Sequence, residues 1–246
     1  MHRVDLNASR LMTYPDRRIA LIPAHNEEAT VGRIVCQVRR LWGLPVVVID
    51  DCSTDATART ARAAGATVLP LTLQLGAWGA IQTGLRYALR HGYRTAITLD
   101  ADGQHAPEDI GELLRPLASG QAEIAIGAFP ERASHARRIA WFCFRRLTGL
   151  KLEDITSGFR AYNHAAMTVL ASQEASLLDY QDIGVLLILR RKGLRTVELP
   201  VSMQPRAAGA SRVFHSWWVV GKYMLQTSLL CLARVGYNHL PPVPND

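Results

Sequence analysis

The sequence predicts an α/β fold with a mainly parallel central sheet flanked by helices, and three observations predict it. In the first half of the chain, short apolar runs alternate with segments of helical periodicity, and the connections between them are short. This alternation is typical of parallel sheets. Three of the apolar runs end in polar or acidic residues, and each is followed by a helical segment. The length of 246 residues allows one large domain with a sizeable core.

The predicted elements follow one another along residues 19–201. Strands are expected at residues 19–23, 46–50, 67–71, 96–99, 123–128, 157–162 and 194–201. Helices are expected at residues 27–41, 55–64, 76–91, 136–150 and 181–192. A further helix begins at Pro107, because proline is favoured in the first turn of a helix. No repeat, low-complexity segment or linker divides the sequence, so a single domain is expected.

The charge balance favours anionic partners. The net charge is +7, from 28 basic and 21 acidic residues, which suits nucleotides or phospholipid surfaces. Nucleic acid is not an expected partner, because the basic residues are not interleaved with aromatic residues as in a nucleic-acid-binding module. The four cysteines have no Cys-x-x-Cys spacing, which favours reduced thiols and a cytoplasmic protein.

The most informative segment is residues 96–105, where an apolar run ends at two carboxylates, Asp100 and Asp102. At the end of a strand the pleat relaxes, so both acids can converge on one point. Together with Gln104 they offer the hard oxygen ligands that Mg²⁺ or Mn²⁺ prefers. The alternative is that the two acids only cap the helix that begins at Pro107.

Two further strands also end in acidic clusters. The strand at residues 46–50 leads into Asp50 and Asp51, and the strand at residues 19–23 leads into Glu27 and Glu28. Open α/β sheets bind ligands at the carboxyl ends of their strands, so three such clusters favour a ligand site. The competing explanations are that the two glutamates stabilise a helix N-terminus and that Asp55 is a helix N-cap.

Several segments resemble the family 2 glycosyltransferases. They are residues 23–27 (Pro-Ala-His-Asn-Glu), 48–55 (Val-Ile-Asp-Asp-Cys-Ser-Thr-Asp), 100–105 (Asp-Ala-Asp-Gly-Gln-His) and 154–160 (Asp-Ile-Thr-Ser-Gly-Phe-Arg). Residues 198–201 and 206–212 resemble a late Gly-x-Ser-Lys/Arg element. That element is typical of the branch related to dolichyl-phosphate mannose synthase and bacterial polyprenyl-phosphate glycosyltransferases. The resemblance implies the GT-A nucleotide-diphospho-sugar transferase fold.

The resemblance also implies site residues. Those implied to bind the nucleotide sugar are Pro23, Ala24, Glu27, Asp50, Asp51, Asp100 and Ala101. Those implied to hold Mg²⁺ or Mn²⁺ are Asp100, Asp102 and Gln104. Asp102 and Asp154 are the candidate catalytic residues, and Ser157 and Arg212 are candidates for contact with a phosphate.

The chain departs from the family at two places. The family's Gly-Ser-Arg element is here Gly127-Ala128-Phe129, and its phosphate-binding arginine would have to be replaced by Arg132, Arg137 or Arg138. Trp78 stands where the family often has a small residue, which suggests a narrowed sugar pocket.

The expected function is metal-dependent, inverting transfer of a hexose from a UDP- or GDP-linked sugar to polyprenyl phosphate. An acceptor phosphate is already ionised, so it needs orientation by arginine more than it needs a general base. One alternative is a sugar hydroxyl acceptor in cell-surface polysaccharide or glycolipid synthesis, for which Asp154 would serve as the base. Another is a non-catalytic nucleotide-sugar-binding relative. A Rossmann dehydrogenase is not expected, because no Gly-x-Gly-x-x-Gly follows the first strand.

The expected domain organisation has three parts. Residues 1–17 form a flexible lead-in, residues 18–212 form the GT-A domain, and residues 213–246 form a C-terminal amphipathic helix and tail. Residues 214–235 include aromatic and cationic side chains, which suit a membrane interface. The segment has too few consecutive apolar residues to span a membrane. We therefore expect peripheral association with the inner face of the membrane, with a small membrane protein as a candidate partner.

Overall fold

The protein is represented by a computed structural model, which describes residues 17–129, 146, 152–154, 157–176 and 183–204. These residues form a seven-stranded sheet in the order β3-β2-β1-β4-β6-β5-β7. The strands are β1 (Arg18–Ala24), β2 (Val46–Asp50), β3 (Thr67–Pro70), β4 (Thr95–Thr98), β5 (Ile124–Ala128), β6 (Arg160–Asn163) and β7 (Thr196–Pro200).

Most of the sheet is parallel, as the sequence predicts. Strand β1 pairs in parallel with β2 and β4, β2 with β3, and β5 with β7. Strand β6 runs antiparallel to both of its neighbours, β4 and β5. Its amino end therefore lies at the carboxyl ends of β4 and β5, which brings Arg160 opposite Thr98.

Helices cover both faces of the sheet. They are α1 (Val31–Trp42), α2 (Thr57–Ala63), α3 (Gly76–Arg90), α4 (Ile110–Ala118), α5 (His164–Leu170), α6 (Gln173–Ser176) and α7 (Ile183–Arg191). One apolar core contains residues of α3, α5 and α7, and the other contains residues of α1 and α4. Alternate residues of β1 contribute to the two cores, because successive strand side chains point to opposite faces.

Several local expectations are corrected by the structure. The helix expected at residues 27–41 begins only at Val31 and has no acidic residue in its first turn. The strand expected at residues 157–162 begins only at Arg160, since residues 157–159 form a loop beneath the carboxyl end of β4. Residues Pro107–Asp109 form a turn of 3₁₀ helix before α4 begins. Helices α5 and α6 were not expected, although Asn163 is a recognisable N-cap whose Oδ1 accepts the Ala166 N–H at 3.0 Å.

Other expectations fall outside the described residues. These are the helix at 136–150, nearly all of the lead-in at 1–17, and the C-terminal segment 213–246. None of the helices within the described ranges has the length and apolar character needed to cross a membrane.

Candidate active site

The three acid-bearing strand ends lie side by side. Strand β1 lies between β2 and β4, and its register pairs Ala24 with Asp50 and Leu21 with Thr98. All three strands run in the same direction, so the residues that follow them share one edge of the sheet. The predicted convergence of the acidic clusters is therefore observed at the level of the backbone.

The loops that follow β1 and β2 are joined by side-chain hydrogen bonds. The Asn26 N–H donates to Ser53 Oγ at 2.9 Å, and Asn26 Oδ1 accepts the Thr54 N–H at 2.8 Å. Both loops contain a residue with positive φ, Asn26 at 53° and Cys52 at 60°. Such backbone conformations cost free energy and are concentrated at functional sites, so this pair of loops is a constrained wall of the site.

The two glutamates after β1 have different surroundings. Glu28 Oε2 accepts the Ala56 N–H at 2.8 Å, so Glu28 connects the first loop to the start of α2. Glu27 is half-buried, and its Oε2 accepts the Thr30 hydroxyl at 3.3 Å. Asp55 Oδ1 accepts the N–H of Thr57 at 2.9 Å. Helix α2 begins at Thr57 and its N-cap position is Ala56, so the expectation that Asp55 is the N-cap is wrong.

Asp51 is a buried anchor for helix α3. Its Oδ1 accepts the Leu75 N–H at 2.7 Å and its Oδ2 accepts the Gly76 N–H at 2.9 Å. Its neighbour Asp50 is also buried, and Asp50 Oδ1 accepts the Ser53 N–H at 3.3 Å. The two adjacent carboxylates therefore differ in their hydrogen bonds. Both oxygens of Asp51 accept backbone N–H groups at the N-terminus of a helix, whereas Asp50 accepts one at Oδ1.

The Asp-x-Asp segment forms a tight turn after β4. Asp102 Oδ1 accepts the Gln104 N–H at 3.0 Å, and the Thr30 hydroxyl donates to the Ala101 carbonyl at 2.6 Å. Gly103 has a φ of +79°, a conformation that favours glycine. The Gln104 carbonyl accepts the Gln204 N–H at 2.8 Å, which ties the turn to the segment after β7.

Asp100 lies between a histidine and a glycine. The Asp100 N–H donates to His105 Nδ1 at 3.1 Å, and His105 Nε2 lies 3.7 Å from Asp100 Oδ2. A Cβ atom added at Gly158 would lie 2.5 Å from Asp100 Oδ1. The Asp100 carboxylate keeps a side-chain exposure of 41%, so it remains accessible to a ligand.

The side of the site formed by β6 and β7 is buried. Asp154 is 1% exposed, and its Oδ2 accepts the Phe129 N–H at 3.3 Å. Glu198 Oε1 and Oε2 accept the N–H groups of Asp154 and Glu153 at 2.7 and 2.6 Å. Burial raises the pKa of the Glu198 carboxyl above its usual value, and these two hydrogen bonds oppose that shift.

Ser157 and Arg160 form part of the same buried region. The Arg160 Nε–H donates to the Ser157 carbonyl at 2.7 Å, and the Arg160 side chain is completely buried. Ser157 Oγ accepts the Phe159 N–H at 3.3 Å. Burial of an arginine is costly unless acceptors compensate, and the Ser157 carbonyl is one such acceptor.

The structure describes only part of the predicted phosphate-binding set. Arg132, Arg137, Arg138 and Arg212 lie outside the described residues. Trp78 is buried and its Nε1–H donates to the Ala175 carbonyl at 2.9 Å, so it fills the core instead of narrowing a sugar pocket. Within the described ranges, no three His, Cys, Asp or Glu side chains are grouped so that they could hold a metal.

Sequence reasoning missed several residues that shape the site. Gly158, Glu198 and Asn26 enter the sequence-based prediction only as members of motifs, and the positive φ of Asn26 is not predicted. A glutamate within an apolar strand is an available signal for Glu198, because a carboxylate in such a position needs hydrogen-bond donors. No comparable signal identifies the close approach of Gly158 to Asp100, which depends on how two distant segments meet.

Comparison with known proteins identifies the family. The sequence profile of Glycosyl transferase family 2 matches residues 19–168. The chain therefore belongs to glycosyl transferase family 2, and it is a glycosyltransferase. The matched residues extend from β1 into α5 and include all three acidic strand ends.

Two relatives cover most of the chain. It is 29% identical over 239 residues to the undecaprenyl-phosphate mannosyltransferase of Micrococcus luteus, which covers 88% of this chain and 95% of the relative. It is 29% identical over 218 residues to the polyprenol monophosphomannose synthase of Mycolicibacterium smegmatis, which covers 80% of this chain and 81% of the relative.

A solved structure confirms the predicted GT-A fold. Glucosyl-3-phosphoglycerate synthase from Mycobacterium tuberculosis, crystallised with Mn²⁺ and UDP-glucose, superposes with a TM-score of 0.67. The alignment covers 94% of this chain and 81% of that chain at 22% sequence identity. At this identity the likeness establishes a shared fold.

Proposed function

We propose that this chain is a metal-dependent, inverting glycosyltransferase that moves a hexose from a nucleotide-diphosphate sugar to polyprenyl phosphate. The observation that carries the proposal is the position of Asp100 and Asp102 directly after β4, beside the loops that follow β1 and β2. The relatives named undecaprenyl-phosphate mannosyltransferase and polyprenol monophosphomannose synthase support the choice of acceptor.

The donor set of the Asp-x-Asp turn fits Mg²⁺ or Mn²⁺. Asp100 and Asp102 supply two carboxylates, and Gln104 supplies an amide oxygen, which are ligand types that both ions accept. Two carboxylates fill only part of the coordination shell of such an ion, which is usually completed by water and substrate phosphates. When bound, the ion would stabilise the negative charge that develops on the departing nucleotide diphosphate.

The nucleotide is proposed to lie against the constrained loops that follow β1 and β2. Pro23, Ala24 and Ala101 supply backbone beside it, and Glu27 and Asp50 supply carboxylates for hydroxyl groups of the ribose or base. We assign Asp51 a supporting part, because its oxygens already accept two N–H groups of the α3 N-terminus. Asp51 would shape the pocket by fixing where α3 begins.

The proposed reaction is a single in-line displacement at the anomeric carbon. A phosphate oxygen of the acceptor forms the new bond while the bond to the nucleotide diphosphate breaks, which inverts the configuration. An ionised phosphate brings no proton to remove, so no general base is assigned. Arginine side chains would orient that phosphate by bidentate hydrogen bonds, and Ser157 with Arg132, Arg137, Arg138 or Arg212 remain the candidates.

The burial of Asp154 supports this acceptor over a sugar hydroxyl. A general base must come within hydrogen-bond reach of the proton that it abstracts, but Asp154 is 1% exposed. Its Oδ2 also accepts a backbone N–H. We propose that Asp154 organises the segment around Ser157, and that the reaction proceeds without proton transfer to Asp154.

The test is a transfer assay with separated acceptors. Purified protein is incubated with Mn²⁺, a panel of UDP- and GDP-linked hexoses, and one of three acceptors: polyprenyl phosphate, the corresponding polyprenol or a soluble sugar. The proposal expects an organic-extractable glycolipid with the phosphate only. Product on the polyprenol or on a soluble sugar, abolished by Asp154→Asn, would support the hydroxyl alternative. Nucleotide-sugar binding without any product or donor hydrolysis would support a non-catalytic relative.

Because this acceptor lies in a bilayer, we also propose peripheral association with the inner face of the membrane. The net charge of +7 favours anionic phospholipid headgroups. Flotation with anionic liposomes at low salt should carry the protein with the vesicles. Complete recovery in the unbound fraction would contradict this part of the proposal.

A further inference from the structure

We infer that His105 is a positioning residue that orients Asp100 as a metal ligand. Phe159 packs against the His105 ring, and Gly158 lies next to the Asp100 carboxylate. The inference rests on the proposed function, since it assumes that Asp100 binds a divalent cation. It adds a residue outside the metal-binding set and assigns it a physical task at a named atom.

The first observation concerns the tautomer of His105. A backbone N–H is always a donor, so the 3.1 Å contact from the Asp100 N–H requires His105 Nδ1 to accept. An accepting Nδ1 carries no proton, which leaves the proton of the neutral ring on Nε2. The backbone of Asp100 therefore selects the tautomer of the ring that lies beside its own carboxylate.

The second observation is where that Nε2–H group lies. His105 Nε2 is 3.7 Å from Asp100 Oδ2, and the His105 side chain is only 3% exposed. Among the described residues, Nε2 has no hydrogen-bond partner. A buried donor without a partner is unfavourable, so the ring favours carboxylate orientations of Asp100 that bring an oxygen towards it.

The third observation is that both neighbours of this pair are confined. The imidazole is stacked on Phe159, with ring centroids 5.1 Å apart and an interplanar angle of 17°. On the other side of Asp100, a Cβ atom at Gly158 would lie 2.5 Å from Oδ1. The carboxylate is therefore bounded by the backbone of Gly158 and by a buried histidine whose ring is stacked on Phe159.

The same geometry argues against His105 as a ligand of the metal. A ligating nitrogen needs a free lone pair, but Nδ1 already accepts a hydrogen bond and Nε2 carries the proton. Outer residues that orient a ligand typically change metal affinity 10- to 100-fold when they are removed. That range is the effect expected for His105.

The chain offers a matched control in His91. This histidine also stacks on an aromatic ring, Tyr87, with centroids 3.9 Å apart, and its Nδ1 contacts the Tyr87 carbonyl at 2.8 Å. It is exposed and lies just before β4, at the opposite end of the sheet from Asp100. The substitution His91→Phe removes comparable contacts without approaching the proposed metal site.

The experiment measures Mn²⁺ binding by the electron paramagnetic resonance signal of the free ion, with the full chain and UDP or GDP present. His105→Phe keeps a ring against Phe159 but removes both nitrogens, and should weaken Mn²⁺ binding about 10- to 100-fold. His105→Asn keeps an acceptor near the position of Nδ1, and should recover part of that loss. His91→Phe should match the wild type, and nucleotide binding without metal should be the same in all variants.

Three results would overturn the inference. One is a folded His105→Phe variant, or a folded His105→Leu variant if the former does not fold, that binds Mn²⁺ within about threefold of the wild type. Another is an equal loss of metal-free nucleotide binding, which would indicate a general structural defect. A third is a loss that is much larger for Zn²⁺ than for Mg²⁺, because imidazole is a preferred ligand of zinc and His105 would then be a ligand.

Asp102→Ala separates this inference from the proposed function. If Asp102→Ala abolishes joint binding of Mn²⁺ and nucleotide while His105→Phe does not change it, only the role of His105 is rejected. If neither the wild type nor the variants bind the metal with a nucleotide, both the proposed function and the inference are rejected.

Discussion

The two ends of the parallel strands differ in the charged groups that surround them and in how far those groups are buried. At the carboxyl ends, carboxylates lie in or next to the site, and Asp50, Asp51 and Asp154 are buried. The residues around the amino ends include exposed cations, namely Arg17, Arg90, Arg94, Lys192 and Arg195. Burying a charge is costly unless donors compensate, and the buried carboxylates indeed accept backbone N–H groups. The comparison indicates that the carboxylates at the carboxyl ends are held in fixed positions by backbone N–H groups, whereas the cations around the amino ends are exposed to solvent.

The largest effect is expected from the Asp-x-Asp turn. Asp102→Ala removes a proposed ligand of an ion that contributes several kcal/mol of transition-state stabilisation. We expect the turnover number to fall at least about 100-fold, as measured by glycolipid formation at saturating donor. Unchanged turnover in this variant would place the metal elsewhere.

Asp51→Ala should cost the most stability. It leaves two N–H groups at the start of α3 without their carboxylate, and hydrogen bonds to a charged group contribute roughly 1.5–3 kcal/mol each. We expect the free energy of unfolding in urea to fall by about 2–4 kcal/mol. Glu112→Ala is the control, because its pair with Arg115 is exposed on α4 and should contribute less than about 1 kcal/mol. Equal stability of the two variants would contradict the anchoring of α3 by Asp51.

Gly158→Ala tests the support of Asp100 with a single methyl group. The added Cβ would lie 2.5 Å from Asp100 Oδ1, so the carboxylate must move. We expect metal-dependent nucleotide affinity to fall about 10-fold, as measured by calorimetric titration. Gly120→Ala is the control near the amino end of β5, since its φ of +69° makes alanine strained there but far from the site. It should lower stability and leave binding unchanged, and a loss of binding in both variants would point to a global effect.

The contributions of two glutamates to stability should change with pH in opposite directions. Glu123 lies just before β5 and Glu198 lies in the paired strand β7. Hydrogen bonds from Arg195 lower the pKa of Glu123, just before β5, whereas burial raises the pKa of Glu198 in β7. The stabilisation from Glu123 is therefore present above its usual value near 4.5 and is lost as pH falls through the lowered pKa. For Glu198 the favourable contribution is present below about 4.5 and is lost as pH rises through the raised pKa.

The measurement compares urea unfolding of the wild type with Glu123→Gln and Glu198→Gln across the acidic range. As pH falls, the advantage of the wild type over Glu123→Gln should shrink. The stability of the wild type relative to Glu198→Gln should instead increase. Parallel curves for the two variants would contradict the different surroundings of the two carboxylates.

The smallest effect is expected from the cations at the amino ends. Arg94 is exposed just before β4, and its side chain lies far from the Asp-x-Asp turn. Arg94→Ala should change stability by no more than about 0.5 kcal/mol and turnover by less than about twofold. A large loss of activity would show that the amino ends also take part in the reaction.

The sequence predicted the parallel half of the sheet more fully than the half that contains β6. Residues 19–128 have apolar runs and helical periodicity that determine the elements and the shared edge of the three acidic ends. Strand β6 is short, and its antiparallel direction depends on how the chain returns between β4 and β5. Local patterns do not contain that information.

The sequence likewise predicted which residue types form the candidate site, but it predicted the role of each residue only in part. The acidic clusters at the three strand ends follow from local sequence. Asp51 was expected to contact the nucleotide, but its oxygens accept N–H groups of Leu75 and Gly76, more than twenty residues away. Contacts between distant segments of this kind cannot be inferred from one sequence.

The most direct test of the account is calorimetric titration of UDP and GDP into the wild type and Asp102→Ala, each with and without Mg²⁺ or Mn²⁺. The account predicts that the wild type binds one of these nucleotides tightly only when the metal is present, and that Asp102→Ala loses this dependence. Equal nucleotide affinity in all four conditions would contradict a cation held by the acidic strand ends.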